Sequence, residues 1–215
     1  MNVLLLHALP LDERMWEPQR PVLDGHEVSA PRLYGCGPTM DAWAESVAAE
    51  TEGELAVVGA SMGGYCALAL ARRAPERVRA LLLVGARPDA DSDERRAGRA
   101  DTIELIRREG PEGLWRSMLP KLFADPSVAD ERLLFRDADG LVGAVEAIRD
   151  RADSTELARN FPGPLQFVVG EHESFVTPGE LAEFDIQVVA GAGHLVNLER
   201  TNEFNEILVE FLGRV

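Results

Sequence analysis

Val57-Val58-Gly59-Ala60-Ser61-Met62-Gly63-Gly64 joins a short apolar run, Glu54–Val58, to a helical pattern that begins near Met62. The spacing G-x-S-x-G places glycine two residues to either side of a serine. A sharp strand-to-helix turn needs that spacing, because side chains at the flanking positions would collide with neighbouring backbone. Such a turn lifts the serine hydroxyl above the edge of a sheet, and the helix amino terminus beside it favours developing negative charge. A phosphate-binding loop does not fit. G-x-G-x-x-G would need glycine at position 61, and no G-x-x-x-x-G-K-[ST] occurs in the chain.

Outward from this turn the same unit recurs. Apolar runs at Asn2–Leu6, Glu27–Ala30, Val78–Val84, Leu165–Val169 and Ile186–Val189 alternate with helical patterns at 13–23, 40–51, 62–74, 176–184 and 195–213. Continuous apolar runs suit strands covered on both faces, so the alternation predicts a doubly wound parallel sheet. From Arg87 to Gly163 the rhythm breaks. That interval has no convincing strand and several helical patterns, punctuated by Pro111 and Pro120. The expected organisation is a core made of residues 1–86 and 164–215, with a helical cap, 87–163, lying over the carboxyl ends of the strands, where such folds bind ligands.

A serine hydroxyl is nearly inert without a base. His194, in the loop Gly191-Ala192-Gly193-His194, follows the last strand and opens at the same sheet edge as Ser61. His26 lies at the opposite edge, and His172 sits in a charged loop. The acid that orients the histidine is expected between nucleophile and base, and Gly170-Glu171-His172-Glu173 follows the strand Leu165–Val169. Glu173 is the expected acid, with Glu171 and then Asp89 as alternatives. The backbone N–H groups of Met62 and of Leu9, in the loop after the first strand, are the expected oxyanion donors. His7 is expected to brace that loop.

The formal charge of −15 and a single lysine, Lys121, argue against nucleic acid or an anionic membrane as partner. The opening run Val3–Leu6 is too short for a signal-peptide core, and the two cysteines, Cys36 and Cys66, read as reduced thiols, so a cytoplasmic location is expected.

Leu5-Leu6-His7-Ala8-Leu9-Pro10, the turn around Ser61, Gly170–Glu173 and Gly193-His194-Leu195-Val196-Asn197 together resemble the α/β-hydrolase superfamily, in the branch of small capped esterases and lactonases that includes oxoadipate enol-lactonase. The resemblance implies a cofactor-free hydrolase of a small ester or lactone, working through an acyl-enzyme; no metal is expected, and the chain is expected to be a monomer or homodimer. This sequence departs from the family pattern at Ala8, where glycine is usual, at Glu173, where aspartate is usual, and at Arg32-Leu33-Tyr34-Gly35-Cys36-Gly37, which lacks the usual acid. The family's amino-terminal hairpin is missing, so six wholly parallel strands are expected.

Haloperoxidase-like or acyl-transfer chemistry on the same triad is the alternative within enzymes, and a catalytically silent ligand-binding protein is the alternative outside them. Trp115, Met118, Leu119, Leu122, Phe123, Phe175 and Leu195 are expected to wall an apolar pocket suited to small, uncharged acyl groups. Arg87, where the cap begins, is the one nearby cation able to clamp a substrate carboxylate instead.

Overall fold

The computed structural model describes residues 1–215. Six strands, β1 (Asn2–Leu6), β2 (Glu27–Ser29), β3 (Leu55–Ala60), β4 (Val78–Val84), β5 (Leu165–Gly170) and β6 (Ile186–Val189), form one sheet in the order β2-β1-β3-β4-β5-β6. Every pairing is parallel. This is the α/β-hydrolase fold.

The central strands bury both faces. Leu4, Leu6, Val57, Leu81, Leu83 and Phe167 enter one apolar cluster with Trp43 and Val47 of α1 (Met40–Glu50) and with α2 (Met62–Arg73). The alternate residues Val3, Leu5, Val58, Leu82, Val84 and Val168 enter a second cluster with Met15 and Trp16, and with Phe204, Leu208 and Phe211 on the last helix. Period-two alternation therefore feeds two cores from one set of strands.

Two expected helices are shorter or tighter than their composition suggests. Glu13–Leu23 is a 3-10 helix, because Pro18 and Pro21 have no N–H to donate to the α-helical ladder. Of 176–184, only Pro178–Leu181 is helical, also as 3-10. Between β4 and β5 there is no strand. The chain runs through α3 (Asp93–Leu122), α4 (Ala138–Arg149) and α5 (Thr155–Arg159). α3 is two helices end to end, since Gly110 adopts φ 70°, ψ −171° and Pro111 starts the second half. The carboxyl-terminal pattern divides into α6 (Val196–Glu199) and α7 (Thr201–Leu212). No helix is long and apolar enough to cross a membrane.

Candidate active site

The turn at Ser61 has the strained form its glycines imply. Ser61 sits at φ 49°, ψ −111°, the only non-glycine residue with positive φ, between β3 and α2. A Cβ on Gly63 would lie 2.0 Å from the Leu6 carbonyl oxygen, and one on Gly59 would lie 2.5 Å from that of Gly63. Both positions therefore exclude any side chain. The Ser61 N–H donates to the Val84 carbonyl at 2.7 Å, which ties the turn to the end of β4. The next residue there, Gly85, is packed so closely under His194 that a Cβ would come within 2.7 Å of its ring.

The loops after β5 and β6 meet in a buried histidine–carboxylate pair. His194 Nδ1 lies 2.9 and 2.8 Å from the two oxygens of Glu173, and both side chains are almost wholly buried. Glu173 Oε1 also accepts the Phe175 N–H at 2.8 Å, which holds the longer side chain in place. The alternatives to Glu173 are committed elsewhere. Glu171 accepts the Gly191 N–H, and Asp89 pairs with Arg87 and Arg95. With Nδ1 on the carboxylate, His194 Nε2 is left without a protein partner, as is Ser61 Oγ. His26 and His172 are exposed.

The loop after β1 is braced as expected. His7 Nε2 accepts the Leu33 N–H at 2.9 Å, and Nδ1 faces the Ala8 carbonyl. Burial pushes the imidazole down to about 4, so it is neutral, as its role as an acceptor requires. In this loop the Leu9 N–H has no acceptor, and Met62, first in α2, has none within its helix.

Ser61 opens into a cavity of about 550 Å³, a size ordinary for small-molecule sites. Its wall differs from the apolar one expected. Leu9, Met118, Phe175 and Arg87 line it, but Trp115, Leu119, Leu122, Phe123 and Leu195 do not. Trp115, Leu122, Phe123 and Leu195 are buried in the second core cluster and Leu119 packs against it, so this stripe seats α3 on the body. The Leu195 N–H donates to the Leu122 carbonyl, fixing the same contact. Charged residues take the vacated places on the wall: Glu94, Arg95, Arg99 and Lys121, all from α3, beside Tyr65, Ile148 and Ser174.

Arg87 is not a free clamp. Its Nε meets Asp89, Nη2 meets Glu180 at 2.7 Å and Nη1 reaches the Phe175 carbonyl. The Thr177 N–H and Arg87 together hold the Glu180 carboxyl down at about 2. Beyond it lies a second network around Asp91, whose side chain is fully buried among Arg151 (2.6 Å), Arg99 (3.0 Å) and Arg95 (3.4 Å). Burial alone would raise the Asp91 carboxyl, but Arg99 and Arg151 outweigh it and hold it low. The sequence carried a signal for this network: Arg95 and Arg99 stand four residues apart on α3, and Asp91 a further four residues earlier, just ahead of the helix.

A strained serine turn at the carboxyl end of a parallel sheet, with a buried histidine–carboxylate pair on the two following loops, defines an α/β-hydrolase site. The chain belongs to the alpha/beta hydrolase family, which it matches over residues 3–207. A thermophilic esterase from Thermogutta terrifontis is 31% identical, with TM-score 0.89 over 99% of this chain and 89% of its own. The enol-lactonase from Burkholderia xenovorans LB400 is 27% identical, with TM-score 0.82 over 98% of this chain and 90% of its own. Pimeloyl-(acyl-carrier protein) methyl ester esterase from Aromatoleum aromaticum is 37% identical over 94 residues, covering 40% of this chain and 38% of that protein. The chain spans less than two thirds of the length of each curated relative it matches.

Proposed function

We propose that this chain hydrolyses a small carboxylic ester or lactone through an acyl-enzyme, with Ser61 as nucleophile, His194 as base and Glu173 as its orienting acid. The observation that carries the reading is the buried Glu173–His194 pair, which fixes the imidazole with Nδ1–H toward the carboxylate and leaves Nε2 as an acceptor. Nε2 takes the Ser61 proton as Oγ attacks the ester carbonyl carbon. The N–H groups of Leu9 and Met62 receive the oxyanion, where a single donor is worth about 3 kcal/mol. Collapse expels the alcohol, protonated by His194. Water, deprotonated by the same nitrogen, then attacks the acyl carbon, and release of the acid restores Ser61.

Ser61 Oγ and His194 Nε2 make no hydrogen bond to each other in this structure. Such contacts commonly tighten only when substrate is bound. The esterase and enol-lactonase relatives support ester chemistry. The Thermogutta esterase was solved with malate bound, and the cationic wall of the present cavity suits an anion of that kind. The test is labelling by a fluorophosphonate: the reading requires covalent modification at Ser61 and none in Ser61→Ala. An unlabelled parent would overturn it.

A further inference from the structure

We propose that the ester accepted by this cavity carries a carboxylate, held by Lys121 and Arg99 on the cap side; this deepens the hydrolase reading and rests on it. Four cations and one carboxylate share the wall with Ser61, and they differ in how far they are already engaged. Arg87 uses all three of its nitrogens within the protein. Arg95 is held through Nη2 alone by Asp89 at 2.6 Å and the Ala90 carbonyl at 2.7 Å, with its Nε 3.4 Å from Asp91. Arg99 engages Asp91 through Nε alone, which leaves both terminal nitrogens without a partner. Lys121, the sole lysine of the chain, is exposed, and its side chain makes no hydrogen bond and no ion pair.

Asp91 is the reason Arg99 can serve as a built donor. Its carboxylate is fully buried behind Arg99 and takes Arg151 on its other oxygen, so the guanidinium is placed before any ligand arrives. Counting charge locally, Arg87, Arg95, Arg99 and Arg151 face Asp89, Asp91 and Glu180, and so exceed them by one. Lys121 adds a second positive charge and Glu94, which makes no ion pair, removes one. The side chains that line the cavity are themselves four cations and one carboxylate, within a chain of net charge −15. Over a screening length of about 8 Å the near charges decide, so the acidic surface does not exclude an anion once it is inside. Arg99 and Lys121 both line the cavity, and two cationic donors on one wall suit the two oxygens of a carboxylate.

The carboxylate could sit on the acyl or the alcohol side of the ester, and three chromogenic esters tell these apart. They are mono-p-nitrophenyl glutarate (acyl side), 3-pentanoyloxy-4-nitrobenzoate (alcohol side) and neutral p-nitrophenyl pentanoate. The expected result is a higher kcat/KM for one anionic ester than for the neutral one. Lys121→Gln should reduce that preference roughly two- to fivefold, the range for a solvent-screened ion pair. Glu94→Gln should increase it. Preference for the neutral ester, or equal losses on anionic and neutral esters in Lys121→Gln, would overturn the proposal. If no ester turns over and fluorophosphonate fails to label, the hydrolase reading falls by itself. Calorimetry of glutarate with Ser61→Ala then decides the anion site. Binding weakened by Lys121→Gln upholds it, and no binding ends it.

Discussion

Glu173 meets His194 with both carboxylate oxygens on one ring nitrogen, in a contact from which solvent is almost entirely excluded. Aspartate would reach the same nitrogen from one methylene closer. Here the longer side chain is held by the Phe175 N–H, which donates to Oε1.

Glu173→Gln keeps the shape but withdraws the charge that steadies the imidazolium and its tautomer. Turnover should fall by about four orders of magnitude. Glu171→Gln should cost less than tenfold, since Glu171 only braces the Gly191 N–H. Steady-state kinetics of the two variants make the comparison, and a reversed order would name Glu171 as the acid.

Ser61→Ala should bring hydrolysis to near background while denaturant stability stays within about 0.5 kcal/mol, because Oγ makes no hydrogen bond in the fold. Turnover equal to the parent would remove serine from the chemistry.

His7 gives the fold a pH dependence of its own. Its imidazole is held at about 4 in the folded chain against the ordinary histidine value of 6.5, so between those values the unfolded chain binds the extra proton. Stability should therefore fall with decreasing pH through that window, by about 2 kcal/mol from pH 7 to pH 5 on this account. Urea titrations at the two pH values measure it. His7→Asn should be less stable at pH 7, having altered the Leu33 contact, but should lose less on acidification.

Asp91→Asn removes the charge that compensates buried Arg151 and aligns Arg99. Breaking a buried pair on one side costs about 3 kcal/mol or more, so urea midpoints should drop clearly. On an anionic ester KM should rise more than kcat falls. An unchanged midpoint would mean that Arg151 finds another partner.

The core of the molecule was legible because its constraints are local. Glycines at 59 and 63, apolar runs of strand length and a histidine in a glycine-rich loop each declare themselves within a few residues. The pair Glu173–His194 followed from chain order and sheet edge. The cavity wall did not, because it depends on which side of α3 faces inward. The break at Gly110 separates Arg95 and Arg99 on the first half from Met118 and Lys121 on the second, so no single helical stripe runs the whole length. Apolar spacing put Trp115 and Leu122 on the cavity wall, whereas they face the body of the protein and line no part of the cavity. Arg87 was legible as a cation and not as one already spent, since Glu180 is distant in sequence.

The feet of the helical insertion are fastened to each other. The Ser154 N–H donates to the Pro88 carbonyl at 2.8 Å, the Ala90 N–H reaches Asp153, and Arg151 grips the Asp89 carbonyl. The chain thus leaves and rejoins the sheet through one narrow neck, with Ser61, Glu173 and His194 on the loops of the sheet and Arg95, Arg99 and Lys121 on α3 of the insertion. Such a neck is a natural splice point: an insertion from another relative, grafted between positions 88 and 154, could exchange substrate preference while leaving the serine, histidine and glutamate where β3, β5 and β6 put them.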